Sequence, residues 1–153
     1  MEAQEPLDKI VDDLYVVFAR YGDSGGDFCS YCYSELDMRR IKTTTLRELS
    51  ADDARTLLWE SPDHWESQDV YRHYLPRMLE VMGPPLWVED LYGEHLFDTA
   101  RALGFANWSP AERTVVTDYL RKLEPLMTFP SPGDREVFIN QIEGLEKLSN
   151  TPL

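Results

Sequence analysis

Basic residues are scarce in this chain. Fifteen lysines and arginines stand against 28 aspartates and glutamates, for a formal charge of −13 and a pI near 4.5. That balance repels phosphates, and no Lys/Arg stripe offsets it, so nucleic acid is not an expected partner and anionic membrane surfaces are disfavoured. Long apolar runs are missing too. No window approaches the roughly 20 apolar residues of a membrane span. The start, Met1-Glu-Ala-Gln-Glu5, has neither the basic residues nor the apolar core of a signal peptide. A cytoplasmic protein is expected. Cysteine is limited to two residues in 153, too few for a disulfide scaffold and in keeping with a reducing compartment.

Catalytic signatures are absent as well. There is no Gly-rich phosphate loop with a lysine, no His-Glu-x-x-His and no Gly-x-Ser-x-Gly. Acidic pairs abound, but no acid-base pair or nucleophile with its base stands out from what a solvated face would carry, so no catalytic residue is assigned. Strand-like alternation and hairpin signals are missing, and no segment repeats at a fixed period.

What is present is helical patterning. Leu7, Ile10, Val11, Leu14, Val17 and Phe18 recur at steps of three and four, which predicts a first helix ending near Tyr21 before the glycine-rich Gly22 to Asp27. A short helix is predicted from Glu35 to Ile41. Ser50 is a good N-cap for a helix to about Trp59, with Ala54, Leu57 and Leu58 inward and Pro62 just beyond its end. Ser67 caps the strongest helix, whose stripe is Val70, Tyr71, Tyr74, Leu75, Met78, Leu79 and Met82; Pro76 should kink it and Gly83-Pro-Pro ends it. A further helix is expected over Trp87 to Leu103, weakened by Gly93. Ser109, Pro110 and Glu112 spell a capping box for the next, with Val115, Val116, Tyr119, Leu120, Leu123 and Met127 inward. The last, about Asp134 to Leu148, should bury Val137, Phe138, Ile142, Leu145 and Leu148 and leave 149–153 as a frayed tail. The expectation is a single all-α domain, an irregular bundle of about six or seven helices, with stacked antiparallel pairs as the alternative arrangement.

Charge and aromatics gather in one stretch. Between Asp52 and Asp98 eleven acids face three arginines, which places eight of the thirteen net negative charges there, with three of the four tryptophans and all three histidines. Acids interleaved with large aromatics suit capture of a basic protein. Glu60, Asp63, Trp65, Glu66, Asp69, Trp87, Glu89, Asp90 and Glu94 are therefore the candidate partner-binding residues. His64 falls in a turn and should be exposed, and His73, between Tyr71 and Tyr74, reads as a histidine at the edge of the core.

Cys29 and Cys32 form a Cys-x-x-Cys pair, a spacing that lets two thiolates grip one metal ion. A tetrahedral zinc site needs two more ligands, which His64, His73 or His95 would have to bring through the fold. Thiols that merely sit in the loop, a metal site and a redox pair all remain open for Cys29 and Cys32, and no cofactor is assigned, zinc being the alternative.

Phe18-Ala-Arg-Tyr21, the cysteine pair, Leu46-Arg-Glu-Leu-Ser50 and Tyr71-Arg-His-Tyr-Leu-Pro-Arg-Met-Leu-Glu80 together resemble an uncharacterised family of small helical bacterial proteins. The resemblance spans roughly the first 85 residues and, more loosely, the tail, and implies a helical fold. Where such relatives carry a histidine shortly before the cysteines, this chain has Gly22 to Asp27. The expected function is that of a stoichiometric binder masking a basic partner, immunity-protein-like in general character, as an immunity protein or antitoxin masks a nuclease toxin. The alternative is a small metal or thiol-redox protein using Cys29 and Cys32.

Overall fold

In the computed structural model of the chain, residues 4–22, 32–89 and 94–149 are described. Among them lie seven α-helices and no strand. The helices are α1 (Gln4–Val17), α2 (Glu35–Thr43), α3 (Ala51–Leu58), α4 (Gln68–Met82), α5 (Glu94–Ala102), α6 (Pro110–Leu123) and α7 (Pro132–Ser149). The all-α bundle expected from the periodicity is the fold, and no helix among the described residues is long and apolar enough to cross a membrane.

Local chemistry sets where the helices start. Ser50, Ser67 and Ser109 each stand in extended backbone and accept a hydrogen bond from the amide three residues on, at 3.1, 3.2 and 3.2 Å, satisfying one of the orphan donors of the first turn. At Ser109 the box closes, because Glu112 accepts from the Ser109 amide at 2.9 Å. Ser34, not singled out in the sequence, caps α2 in the same way.

The apolar stripes then dictate the packing. α6 lies against α1 on one side and α7 on the other, while α4 packs against α3 and α1. All seven predicted stripe residues of α4 are buried, and the helix runs through Pro76, itself buried. Trp108, 2% exposed, collects the rings of Phe18, Tyr71 and Phe105 around its indole and donates its Nε1–H to the Leu103 carbonyl at 3.2 Å. Gly104 ends α5 with φ of 88°, a left-handed backbone that glycine adopts without a Cβ penalty. A Cβ there would also come within 2.9 Å of the Gln68 side chain.

Three expectations need correction. The helix predicted over Trp87 to Leu103 is described over Glu94–Ala102, and Trp87 and Val88 are not part of it: Trp87 takes a left-handed backbone (φ 48°), and the Val88 amide turns back to the Val81 carbonyl at 2.7 Å, so the chain doubles over the end of α4. Leu91 and Tyr92, placed on that helix, lie outside the described residues. Val137 is 55% exposed, because Phe138, Ile142 and Leu145 set the buried face of α7 and Val137 falls beside it. The first helix closes at Val17 and reaches Tyr21 as a separate 3-10 turn, Ala19–Tyr21.

Candidate functional site at the junction of the third and fourth helices

Between α3 and α4 the chain makes a tight corner. Pro62 lacks the amide hydrogen that would continue α3, and Pro62–His64 form a single 3-10 turn. Trp65 holds that turn down: it is 5% exposed, its ring set edge-on against Tyr71 with centroids 5.2 Å apart and 6.2 Å from Tyr74. With Trp65 driven inward, the residues before it point in two directions.

On one side Glu60 and His64, four residues apart, meet Cys32. The His64 Nδ1 is 3.1 Å from Glu60 Oε2 and 3.8 Å from the Cys32 sulfur. All three ligand-bearing atoms lie within 4.8 Å of one another. Glu60 is 8% exposed, whereas Cys32 and His64 reach the surface. Burial pushes the Glu60 carboxyl above the usual glutamate range, with Asp63 adding to the rise; the His64 hydrogen bond opposes it. Cys32 is disulfide-bonded. Cys29 lies outside the described residues.

On the other side Trp59 is 47% exposed and yet fixed. Its Nε1–H donates to the Glu89 carbonyl at 3.1 Å, its ring stacks on His95 with centroids 6.0 Å apart, and the Arg55 guanidinium sits 5.9 Å over the ring. The Trp59 bond ties α3 to the segment carrying Leu86 and Trp87, which are 43% and 42% exposed. The start of α5 packs against the 3-10 turn. Asp63, Glu89 and Glu94, all exposed, therefore belong to the elements that meet at Trp59.

The structure sorts the candidate partner-binding residues. Asp63, Trp87, Glu89 and Glu94 are exposed on these meeting elements, and Glu66 and Asp69 are exposed around the start of α4. Glu60 and Trp65 are corrected: both are buried, Glu60 beside His64 and Trp65 beneath the corner, so neither offers a contact surface. Asp90 lies outside the described residues. Trp59 was passed over, although a tryptophan at the C-terminal end of a helix whose inward positions are already filled by Ala54, Leu57 and Leu58 has to face outward. The Glu60–His64 pairing carried no sequence signal, because α3 ends at Leu58 and the two residues are joined by a 3-10 turn, not by a helix.

A second polar centre was only partly legible. Glu112, 1% exposed, closes the α6 capping box and also accepts from the Tyr21 hydroxyl and from Arg20 Nη2 at 3.0 Å. Tyr21 in turn accepts from Arg20 at 2.7 Å and Arg72 at 2.6 Å. Burial alone would raise the Glu112 pKa, but these bonds and the Arg20 charge overcome it and hold the carboxyl below the usual range. Arg77 likewise donates to the Leu49 carbonyl at 2.8 Å and to Glu80 at 2.8 Å, and Tyr15 donates to Glu80 at 2.6 Å. The motif residues Arg20, Tyr21, Arg72, Arg77 and Glu80 thus tie helices together. His73, in the same motif, is half-buried, and its burial lowers its pKa.

The chain is an all-α protein with a polar corner between α3 and α4. No family model, curated protein or solved structure matches it.

Proposed function

We propose that this chain is a binding module that takes a basic protein partner on the face around Trp59, a toxin-neutralising immunity protein or antitoxin being the kind of protein that works this way. The observation that carries the reading is a large exposed indole held in place from three sides. A tryptophan left exposed normally loses conformational freedom when a partner covers it. Here that freedom is already restricted by Glu89, His95 and Arg55, so covering it costs less and leaves more of the burial energy for affinity. Trp87 adds a second exposed indole on a left-handed backbone, a conformation that costs a non-glycine residue on the order of 1–2 kcal/mol and is concentrated at functional positions.

Charge supplies the complement. Asp63, Glu89 and Glu94 outnumber Arg55 on the elements that meet here, and the chain as a whole carries −13. A basic surface is drawn in over roughly 8 Å at physiological salt, faster as salt falls. Carboxylates spaced along such a face imitate the phosphates that a nuclease holds, which gives fast association, while the indoles slow dissociation.

The test is affinity capture from native cell lysate with tagged full-length chain, wild type beside Trp59→Ala and Glu89→Lys/Glu94→Lys, at low and moderate salt. The reading expects one basic protein in stoichiometric amount, weakened by salt and by the charge reversals and lost with Trp59→Ala. Capture of the same protein equally by all three forms, or of none by wild type, contradicts it.

A further inference from the structure

The Cys32 corner is independent of the Trp59 face and has a different chemistry. Sulfur, imidazole nitrogen and carboxylate oxygen are the three ligand types that zinc accepts. In a tetrahedron with ordinary zinc bond lengths, sulfur and nitrogen stand about 3.5 Å apart and nitrogen and oxygen about 3.3 Å. The 3.8 Å and 3.1 Å found here match those edges to within a few tenths of an ångström. The ligands also come from two parts of the chain, Cys32 from the loop before α2 and Glu60 and His64 from the corner after α3.

Glu60 gives the second argument. It is a carboxylate 92% withdrawn from water by its 8% exposure, and among the described residues its ion-pair partner is one imidazole that is itself 40% exposed. A buried carboxylate is costly without a firm counter-charge. A dication meets that need.

We infer that Cys32, Glu60 and His64 form a binding site for a divalent cation of the zinc class, open when Cys32 is reduced. The set of one sulfur, one nitrogen and one oxygen disfavours magnesium and calcium, which take oxygen ligands. A disulfide sulfur is not a thiolate, so the oxidised form is closed to the ion. Opening it needs a dithiol reductant: the disulfide takes two electrons and two protons and its S–S bond breaks, while the dithiol is oxidised to its own disulfide. The cation then displaces the Cys32 thiol proton as it binds.

Cobalt(II) is the probe. Full-length chain, reduced with a dithiol and freed of it under anaerobic conditions, is titrated with cobalt and then back-titrated with zinc. One equivalent should bind with a thiolate-to-cobalt charge-transfer band and strong visible bands of tetrahedral cobalt, and zinc should abolish both. Oxidised protein should give neither. His64→Gln and Glu60→Gln, checked for unchanged far-UV circular dichroism, should each weaken binding by about tenfold to a hundredfold, at least the loss seen when a supporting residue is removed from a metal site. If Glu60→Gln does not fold, the exposed His64 position carries the test alone. The inference is overturned if reduced protein shows no thiolate–cobalt band, if oxidised protein binds equally well, or if the folded variants bind as wild type does.

Discussion

Glu112 and Glu60 are both buried glutamates, and their surroundings differ at every point. Glu112 sits among the 3-10 turn Ala19–Tyr21, α4 and α6 with the Tyr21 hydroxyl, Arg20 and the Ser109 amide all donating to it, and Arg72 is 3.8 Å away. Glu60 sits at a corner with His64 as its hydrogen-bond and ion-pair partner. Their carboxyl groups are displaced in opposite directions, Glu112 down and Glu60 up, although burial acts on both in the same sense. The difference lies in the donors. A carboxylate whose lone pairs are filled by fixed donors holds helices together; one whose partner among the described residues is a single imidazole adds little to the fold and has capacity for a ligand.

That contrast is open to direct attack. The largest effect expected is from Glu112→Ala, which removes the centre of the network and takes from Arg72, 13% exposed, the carboxylate 3.8 Å away: a loss of about 3–5 kcal/mol in urea unfolding. Glu60→Ala, measured in metal-free protein, should cost less than about 1 kcal/mol, because it deletes one hydrogen bond and the cost of burying the carboxylate together. Equal losses would erase the distinction.

Next in size is Tyr21→Phe, which deletes a hydroxyl that accepts from two arginines and donates to Glu112, and should cost about 1–3 kcal/mol. His64→Gln, at an exposed position, should stay within about 0.5 kcal/mol of wild type under the same conditions.

The smallest expected effect is in the pH profile. Glu112 has a folded pKa below its ordinary 4.5, so its ionisation favours the folded state. Its contribution is complete above that pH and is lost as pH falls through the folded value. The stability gap between wild type and Glu112→Gln should therefore be constant from about pH 7 down to 5 and narrow below 4.5, read from urea midpoints across that range. A gap that widens with acid would reverse the sign of the assignment.

The helices were legible because their signals are local. Ser50, Ser67 and Ser109 cap their helices through bonds that span three residues, and the α4 stripe from Val70 to Met82 needs only a period. Where the deciding contact was distant, the reading failed. Trp87 and Val88 read as the start of a helix, yet the Val88 amide is claimed by Val81 and Trp87 is left-handed. Trp65, followed by Glu66, looked like part of an acidic surface until Tyr71 and Tyr74 drew it inward. Of the Glu112 network, the capping box could be read and the bonds from Tyr21 and Arg20, some ninety residues earlier in the chain, could not. For Cys32 the spacing to Cys29 raised a metal site and named His64 among three histidines, but the choice among them and the addition of Glu60 came from the fold.

One experiment sets the two glutamates side by side: unfolding of reduced wild type, Glu60→Gln and Glu112→Gln, with and without zinc. A ligand that binds only the folded state at about a hundred times its Kd adds roughly 2.7 kcal/mol. The account predicts that zinc stabilises wild type and Glu112→Gln alike, that Glu112→Gln is weakened in both conditions, and that Glu60→Gln loses most of the zinc increment alone. Zinc that stabilises no form, or a Glu60→Gln that is as damaged as Glu112→Gln without metal, would contradict it.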